Sequence, residues 1–494
     1  MLLPAFGGCG GTLEIGIERT PTSEARALPT PDGHLATVEA LTAENARLAA
    51  TVAAYATHSV TATPPPELGR VAYVQGGDIW VKPLPDGAPL RLTTDGRNRS
   101  PRWSPSGVWL AFRKEGNVIV ERETLCDTPN MRRELCRESV SELQQQVWLA
   151  EEDGSNGRPL NQSLSVEAFA WSPTRDRLAY VNASGQLQAV NGDGTNLATL
   201  FAASTADRSP GKIGRMAWSP DGAWIAYEYA LQGVEPTAAY RGIWKVSADG
   251  RERVQVYGDG PGRSEPWLAG WSSAGTLIYF WQDPARPVIS PDGAPLFGVA
   301  TVGQPTAGAA VRLSSEPMLP YRDFIAAAPR GAHGSDREAV ALVVGAGQGT
   351  WANKRIETSV TVSPPGMAAI SPAWSPDGQR LAYAAMPERE GLGLGEPMLQ
   401  ELMARRIWVA DVAGGGPPRQ ITDGVGYRDE FPRWSADGAT ILFARINTRG
   451  RASLWIAPTG GGALRQVVDE LTPAPDPISA HGHVEWDNLF DWRR

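Results

Sequence analysis

The sequence predicts an all-β protein: a β-propeller of eight four-stranded blades, with seven as the alternative, preceded by a flexible tether and a short helix. Three observations predict this fold. A segment of the Trp-Ser-Pro-Asp-Gly type recurs six times, a short apolar strand follows each copy, and the 494 residues include 54 Gly and 41 Pro. Because Gly and Pro destabilise helix interiors, this composition favours short strands joined by tight turns.

The repeat explains the strands in order. A strand ending in Trp-Ser leads through a Pro-Asp-Gly type turn to an apolar strand, then to a strand such as Ile-Trp-Val and, after a second turn, to one such as Arg-Gln-Ile-Thr. Pro presets φ in the turn, Asp hydrogen-bonds the backbone ahead, and Gly accepts positive φ. Four strands at intervals of roughly 45–60 residues are typical of propeller blades. The repeat anchors are Trp103, Trp171, Trp218, Trp271, Trp374 and Trp434.

The blade count depends on two irregular stretches. The interval between Trp271 and Trp374 is about twice the usual one, so a degenerate blade is expected there, with strands at 323–328 and 338–344. The first three strands of the repeat region have no Trp-Ser-Pro strand before them. We therefore expect the C-terminal segment beginning near His483 to supply it and close the ring. If the degenerate stretch is only a loop, the count is seven.

These motifs resemble the WD-like repeats of TolB and related bacterial proteins, over about residues 68–490. The resemblance implies the propeller fold. It is far less specific for function, because propellers of this type occur in peptidases, binding proteins and scaffolds. The chain carries a tether and a helix where TolB has an α/β domain, so membership of the Tol–Pal system is not expected.

The N-terminus, residues 1–9, is interpreted as the remnant of a lipoprotein-type signal that ends in Cys9. The small residues Gly7 and Gly8 precede the cysteine, as they do in lipidated proteins. Phe6 departs from the usual Leu, and the charged start and most of the apolar region of a signal are missing. A misplaced start codon would explain this; an ordinary N-terminal cysteine is the other interpretation. Lipidation predicts an extracytoplasmic protein, at the cell surface or in the periplasm.

Four segments follow the signal remnant. Residues 10–36 have the composition of a flexible linker, and residues 37–58 carry an a/d heptad pattern typical of an amphipathic or coiled-coil helix. Asn45 at an a position suits a parallel homodimer, while the alternative is a helix that packs on its own domain. Residues 59–67 form a Pro-rich linker, and the propeller occupies 68–494.

Two further cysteines lie in one polar insertion. Cys126 and Cys136 are close in sequence within residues 121–146. A disulfide between them would close a short loop with little apolar content, and it would persist only in an oxidising compartment. The alternative is two unrelated free thiols.

Several function classes find no support. The net charge is −8 with no basic run, which argues against nucleic acid. No stretch of about 20 apolar residues is present, so membrane contact is expected only through an N-terminal lipid. There is no Gly-x-Ser-x-Gly elbow of a serine hydrolase. His481 and His483 lack a third metal ligand, and the glycines of 345–350 are misplaced for a dinucleotide loop. No catalytic, cofactor-binding or metal-binding residue is therefore predicted.

The insertions predict a binding face. In a blade with strands A to D from the centre outward, the B–C loops and D–A links lie on one face and the A–B turns on the other. Insertions at 121–146 and 385–405 both fall between strands B and C, and such loops are often functional. We expect this face to recognise a protein, peptide or glycan. The alternatives are loops that only cover apolar edges, an enzyme with a hydrolase-type or lyase-type site at the channel mouth, or an accessory propeller of a peptidase-like system.

Overall fold

The computed structural model describes residues 68–494 except 128–132, 161–168, 183, 203–211, 232–239, 259–265, 272–274, 276, 282–295, 301–310, 313–339, 345–355, 362–363, 365–366, 388–399, 412–415, 473–483 and 485. The chain divides into two units, Met1–Pro65 and Pro66–Arg494. All described residues belong to the second. The predicted signal remnant, tether and helix 37–58 lie outside the described residues.

The described chain is nearly all β and contains seven four-stranded antiparallel sheets. We number these sheets blades 1 to 7 in chain order. This architecture confirms the predicted propeller class.

The strands of blades 1 to 4 have the following bounds. Blade 1 contains β1 (Arg70–Gln75), β2 (Asp78–Pro83), β3 (Leu90–Arg91) and β30 (Phe490–Arg493). Blade 2 contains β4 (Asn98–Trp103), β5 (Trp109–Asp127), β6 (Arg133–Glu151) and β7 (Arg158–Pro159). Blade 3 contains β8 (Phe169–Trp171), β9 (Arg177–Val181), β10 (Leu187–Asn191) and β11 (Ala198–Phe201). Blade 4 contains β12 (Lys212–Trp218), β13 (Trp224–Leu231), β14 (Tyr240–Ser247) and β15 (Arg253–Gly258).

The remaining blades follow the same plan. Blade 5 contains β16 (Trp267–Trp271), β17 (Leu277–Trp281), β18 (Leu296–Ala300) and β19 (Val311–Arg312). Blade 6 contains β22 (Met367–Trp374), β23 (Arg380–Pro387), β24 (Arg406–Asp411) and β25 (Arg419–Gln420). Blade 7 contains β26 (Tyr427–Trp434), β27 (Thr440–Asn447), β28 (Ala452–Pro458) and β29 (Arg465–Leu471). A short 3-10 helix spans Trp486–Asn488.

The stretch predicted as a degenerate blade contains a two-stranded sheet of β20 (Val340–Val344) and β21 (Ile356–Thr361). The strand expected at 323–328 lies outside the described residues. Seven blades are thus described with four strands each, and the eighth position is described as a hairpin.

Each repeat anchor is the last residue of an innermost strand, as Trp434 is of β26. The turn after it has the expected chemistry. In blade 4 the Ser219 hydroxyl donates to the Asp221 carboxylate, which accepts the backbone N–H of Ala223, while Gly222 takes φ of +68°. The Ser219 hydrogen bond lowers the pKa of Asp221. The turn is therefore a self-contained local structure.

The C-terminus completes blade 1. Strand β30 pairs antiparallel with β1, and Trp492 lies opposite Val71, as Trp103 lies opposite Leu110 in blade 2. The missing innermost strand does come from the C-terminus, as predicted. It begins at Phe490 rather than near His483, because the chain first forms the 3-10 helix at Trp486–Asn488.

Hydrogen bonds between turns show which loops share a face. In the B–C turn of blade 1, Gly77 donates its N–H to the carbonyl of Thr472, in the link that follows blade 7. The B–C turn of blade 7 donates likewise from Thr448 to Gly426 in a D–A link. On the other face, Ser106 of one A–B turn donates to Asp176 of the next. The assignment of B–C loops and D–A links to a common face agrees with these contacts.

The insertion at 121–146 is not a loop but part of a β-ribbon. Strands β5 and β6 each have 19 residues and stay paired from Trp109–Glu151 out to Asp127–Arg133. The neighbouring strand β4 pairs only as far as Lys114, so the ribbon extends beyond blade 2 on the B–C side. Its Val and Thr residues favour strand, and each strand satisfies backbone groups of the other.

Candidate binding site

A pocket of about 420 Å³ lies on the B–C side of blade 7. Its walls come from all four strands of that blade and from the B–C turn, and the B–C turn at Thr448 marks the loop-rich face. The lining residues are Tyr427, Arg445, Asn447, Arg451, Ser453, Trp455, Gln466 and Asp469. The site is therefore built on the rigid sheet and not on the insertions themselves.

Strand alternation directs the polar side chains into this pocket. On β27, Ala444 and Ile446 are fully buried in the core shared with blade 1. Arg445 and Asn447 alternate with them and so face the opposite side, towards blade 6. Phe443, on this same side, packs in the core between blades 6 and 7. The polar groups thus lie at the end of the core between blades 6 and 7 that is nearest the loop-rich face.

Arg445 forms the inner wall. Its Nε and Nη2 donate to the two carboxylate oxygens of Asp429 at 2.7 and 3.0 Å. Its guanidinium lies 3.7 Å from the ring centre of Tyr427 and 4.6 Å from that of Trp455. Asp429 is fully buried, and burial raises its pKa although Arg445 opposes the shift. A bidentate pair stacked on two aromatic rings holds this wall in one geometry.

Hydrogen bonds orient the outer polar groups. The side-chain oxygen of Asn447 accepts the backbone N–H groups of Arg449 and Arg451 at 2.9 and 3.0 Å. The indole of Trp455 donates to the hydroxyl of Ser453 at 3.0 Å. These contacts leave amide and hydroxyl groups at fixed positions around the opening.

The end of the 385–405 insertion packs against the pocket wall. Arg406, the first residue of β24, donates to the carbonyls of Met403 and Tyr427, each at 2.9 Å, and to that of Gly424. Its guanidinium lies 5.3 Å from the ring centre of Tyr427. Leu402 is 1% exposed. The last residues of the insertion therefore belong to the packed structure, while 388–399 lie outside the described residues.

A second polar cluster surrounds Glu430. Its carboxylate lies 2.5 Å from Arg405 and 3.1 Å from Arg428, and it accepts the indole N–H of Trp486 at 3.1 Å. Burial alone would raise the pKa of Glu430, but Arg428 and Arg405 lower it below the usual range. Glu430 and Arg428 are almost fully inaccessible. The cluster joins the 400–405 segment, blade 7 and the C-terminal helix, which is a structural role.

The innermost strand of blade 1 carries a third group. The carboxylate of Asp491 accepts the backbone N–H of Trp103 at 2.8 Å. Burial raises the pKa of Asp491, with Arg102 opposing and Asp487 reinforcing the shift. Arg102 lies 3.6 Å from Asp487. A carboxyl with a raised pKa can hold its proton above the usual pH, which is a property shared by structural and catalytic acids.

The predicted site residues are distributed as follows. Cys9, His481, His483 and 345–350 lie outside the described residues. Cys136 is disulfide-bonded, and in the ribbon it pairs with Thr124 while Cys126 pairs with Glu134. The partner of Cys136 stays a prediction. Within the described ranges, no group of three or more His, Cys, Asp or Glu could hold a metal ion, and no helix is long and apolar enough to span a membrane.

The pocket of blade 7 was not predicted from the sequence. A signal was present in β27, where Arg445 and Asn447 interrupt an apolar strand at alternate positions, and in β28, where Ser453 does the same. Polar alternation of this kind is ordinary for strands with one solvated face. It therefore pointed to a pocket only once the neighbouring blade was in place.

The fold and sheet order define a β-propeller protein, and solved structures with similar folds belong to several classes. No protein-family profile matches the sequence, and no curated protein does. An oligogalacturonate lyase in complex with manganese is 11% identical, with a TM-score of 0.43, 82% of this chain covered and 86% of the other. Porphyromonas gingivalis dipeptidyl peptidase 4 is 9% identical, with a TM-score of 0.49, over 84% and 59% of the two chains. TolB from Acinetobacter baumannii is 14% identical, with a TM-score of 0.31, over 65% and 61%. These similarities concern the fold alone.

Proposed function

We propose that the protein is an extracytoplasmic binding or scaffold propeller, not an enzyme, that recognises its ligand through the loop-rich B–C face. One observation carries this proposal. The pocket of blade 7, the ribbon of β5 and β6 and the packed end of the 385–405 insertion all lie on the side of the B–C turns. Binding sites concentrate on loops positioned by a rigid scaffold.

The cellular location is part of the same proposal. A lipid on Cys9 would hold the propeller at the membrane through the 10–36 linker, and the disulfide-bonded state of Cys136 suits an oxidising compartment. Metabolic labelling with a palmitate analogue tests the anchor. Incorporation that is lost in Cys9→Ser supports it, while equal labelling of the two proteins contradicts it.

The binding face is tested by two deletions designed on the structure. Removing 388–399 spares Leu402 and Arg405, which pack into the fold. Shortening the ribbon between Asn117 and Leu143, a paired position, removes the extension and keeps blade 2. The control is Val108→Glu, an exposed residue of an A–B turn on the opposite face.

Envelope extracts are then cross-linked and captured with each tagged variant. We expect at least one deletion to lose a partner that the wild-type and Val108→Glu proteins retain, with unchanged circular dichroism. If all four proteins capture the same partners in equal amounts, the loop-rich face is not the recognition face.

An enzyme of hydrolase or lyase type is the second candidate, and Asp491 is the observation that favours it. A carboxyl with a raised pKa on an innermost strand is suited to proton transfer. Turnover of oligosaccharide or peptide substrates that is abolished in Asp491→Asn would establish catalysis. Turnover that survives the substitution would remove this residue from consideration.

A further inference from the structure

We infer that the pocket of blade 7 binds a neutral, hydroxyl-rich ligand, a sugar unit of an uncharged glycan. This inference deepens the proposed function and rests on it. The pocket volume of about 420 Å³ falls within the range of small-ligand sites, roughly 300–1,000 Å³. What selects the ligand class is the charge and hydrogen-bonding character of the walls.

The charges at the pocket give an anion no net attraction. Arg445 is neutralised by the bidentate pair with Asp429. Arg451 lies 3.3 Å from Glu470. Asp469 takes part in none of the ion pairs formed by the described residues, and its charge acts on nearby Tyr73, adding to the burial that raises the pKa of that tyrosine to about 12. With Arg406 beside Tyr427, the positive and negative side chains at the pocket balance, so a carboxylated or phosphorylated ligand gains no net attraction.

The aromatic walls disfavour a cation. Cation recognition by aromatic residues uses the open face of a ring. In this pocket the guanidinium of Arg445 already lies over Tyr427 at 3.7 Å and close to Trp455. A cationic ligand drawn to these rings would come next to Arg445, and the two positive charges would repel each other. A cation would therefore depend on exposed Asp469 alone.

The remaining polar groups match hydroxyls. The side-chain oxygen of Asn447 is used by the turn, which leaves its amide N–H groups as donors. The side-chain amide of Gln466 donates to the carbonyl of Asp469 at 3.5 Å, and its amide oxygen accepts from no described donor. That oxygen and the carboxylate of Asp469 are therefore hydrogen-bond acceptors for a ligand. The Ser453 hydroxyl accepts from Trp455 and donates to the carbonyl of Arg445 at 3.4 Å, so it adds only its second lone pair as an acceptor. Donors and acceptors in alternation suit sugar hydroxyls, each of which both donates and accepts.

The test is titration of the full-length chain with trisaccharides of different charge, followed by calorimetry. The neutral probes are fully N-acetylated chitotriose, cellotriose and maltotriose; trigalacturonate is the anionic probe and the fully deacetylated chitosan trimer is the cationic one. We expect binding of at least one neutral trisaccharide and none of the charged probes at the same concentration. Preferred binding of a charged probe, or no binding of any neutral one, overturns the inference.

Two variants locate the binding. Gln466→Ala removes one amide from the pocket and should weaken binding of the neutral probe about tenfold. Gln255→Ala is the matched control, because Gln255 lies opposite Trp244 in blade 4 as Gln466 lies opposite Trp455 in blade 7. The control should bind as the wild type does. If Gln466→Ala also binds like the wild type, the sugar site is elsewhere.

Failure of the sugar-binding inference can be distinguished from failure of the proposed function. Partner capture that depends on the deletions at 388–399 or in the ribbon stands without sugar binding, and only the ligand class is then wrong. If neither sugars nor partners depend on the loop-rich face, both proposals fail.

Discussion

The indole Nε1 of Trp434 donates a 2.9 Å hydrogen bond to the backbone carbonyl of Ala373 in the preceding blade. The same relationship recurs at three other anchors, and each bond runs from the anchor tryptophan to the residue just before the previous anchor. The other bonds run from Trp171 to Arg102, from Trp218 to Ala170 and from Trp271 to Ala217. The repeated tryptophan therefore joins neighbouring blades as well as filling the core between them.

We expect Trp434→Phe to lower the free energy of unfolding by about 1–3 kcal/mol. The substitution leaves the Ala373 carbonyl without its donor and loses part of a fully buried ring. Trp103→Phe is the control, because the Nε1 of Trp103 is buried with no hydrogen-bond partner, so only packing is lost. Chemical denaturation measures both. Equal losses would show that the hydrogen bond contributes nothing.

We expect Glu430→Gln to destabilise the protein strongly, by about 3–5 kcal/mol. The substitution removes the negative charge that faces Arg405 and Arg428, and Arg428 is fully buried. The matched control is Glu470→Gln, whose pair with Arg451 is exposed and should change stability by less than about 0.5 kcal/mol. Urea unfolding separates them, and a small loss in both would mean that the Glu430 cluster is not a stabilising junction.

Two carboxyl groups, those of Asp491 and Asp437, should make the free energy of unfolding depend on pH in opposite directions. Burial raises the pKa of Asp491 above 3.8, so the folded state binds more protons than the unfolded state as pH rises from that value. The free energy of unfolding then falls through this window until the raised pKa is passed. Asp491→Asn should reduce the decline, although buried Asp429 contributes one of the same direction.

Asp437→Asn is the opposite control for the pH series. The Ser435 hydroxyl lowers the pKa of Asp437 below 3.8, so its stabilisation is present above that pH and is lost as pH falls through the lowered value. Unfolding free energies measured from pH 3 to 8 should show Asp491→Asn acting above pH 3.8 and Asp437→Asn acting below it. Identical profiles for wild type and Asp491→Asn would contradict the raised pKa.

We expect Cys126→Ser to release a reactive thiol at Cys136. If the two residues form the predicted disulfide, alkylation of the denatured, unreduced wild type labels neither, and the variant is labelled at Cys136. Mass spectrometry of the digested protein measures this. Thermal stability should change little, because the ribbon beyond Lys114 pairs with no third described strand. A variant in which Cys136 stays protected would point to another partner.

The fold could be predicted from the sequence because the repeated turn is held by local hydrogen bonds. The turn from Ser219 to Trp224 builds its own hydrogen bonds within six residues, so its residue types predict its conformation wherever the motif occurs. Strand alternation then assigns the B–C loops to one face without coordinates. The exact bounds of the strand that closes blade 1 were harder to predict, since no Trp-Ser-Pro-Asp-Gly turn follows Phe490–Arg493.

The pocket could not be predicted from the sequence, because its residues come together from different strands. Tyr427, Trp455 and Gln466 belong to three strands, and their alignment depends on bulges that shift the register, as between Glu430 and Arg433 on β26. A bulge interrupts the alternation of faces, so a period of two no longer predicts which side chains point together. The sequence by itself determined the propeller and its loop-rich face through local turn chemistry. Only the tertiary structure decided which side chains form the pocket, because that depends on register and on the neighbouring blade.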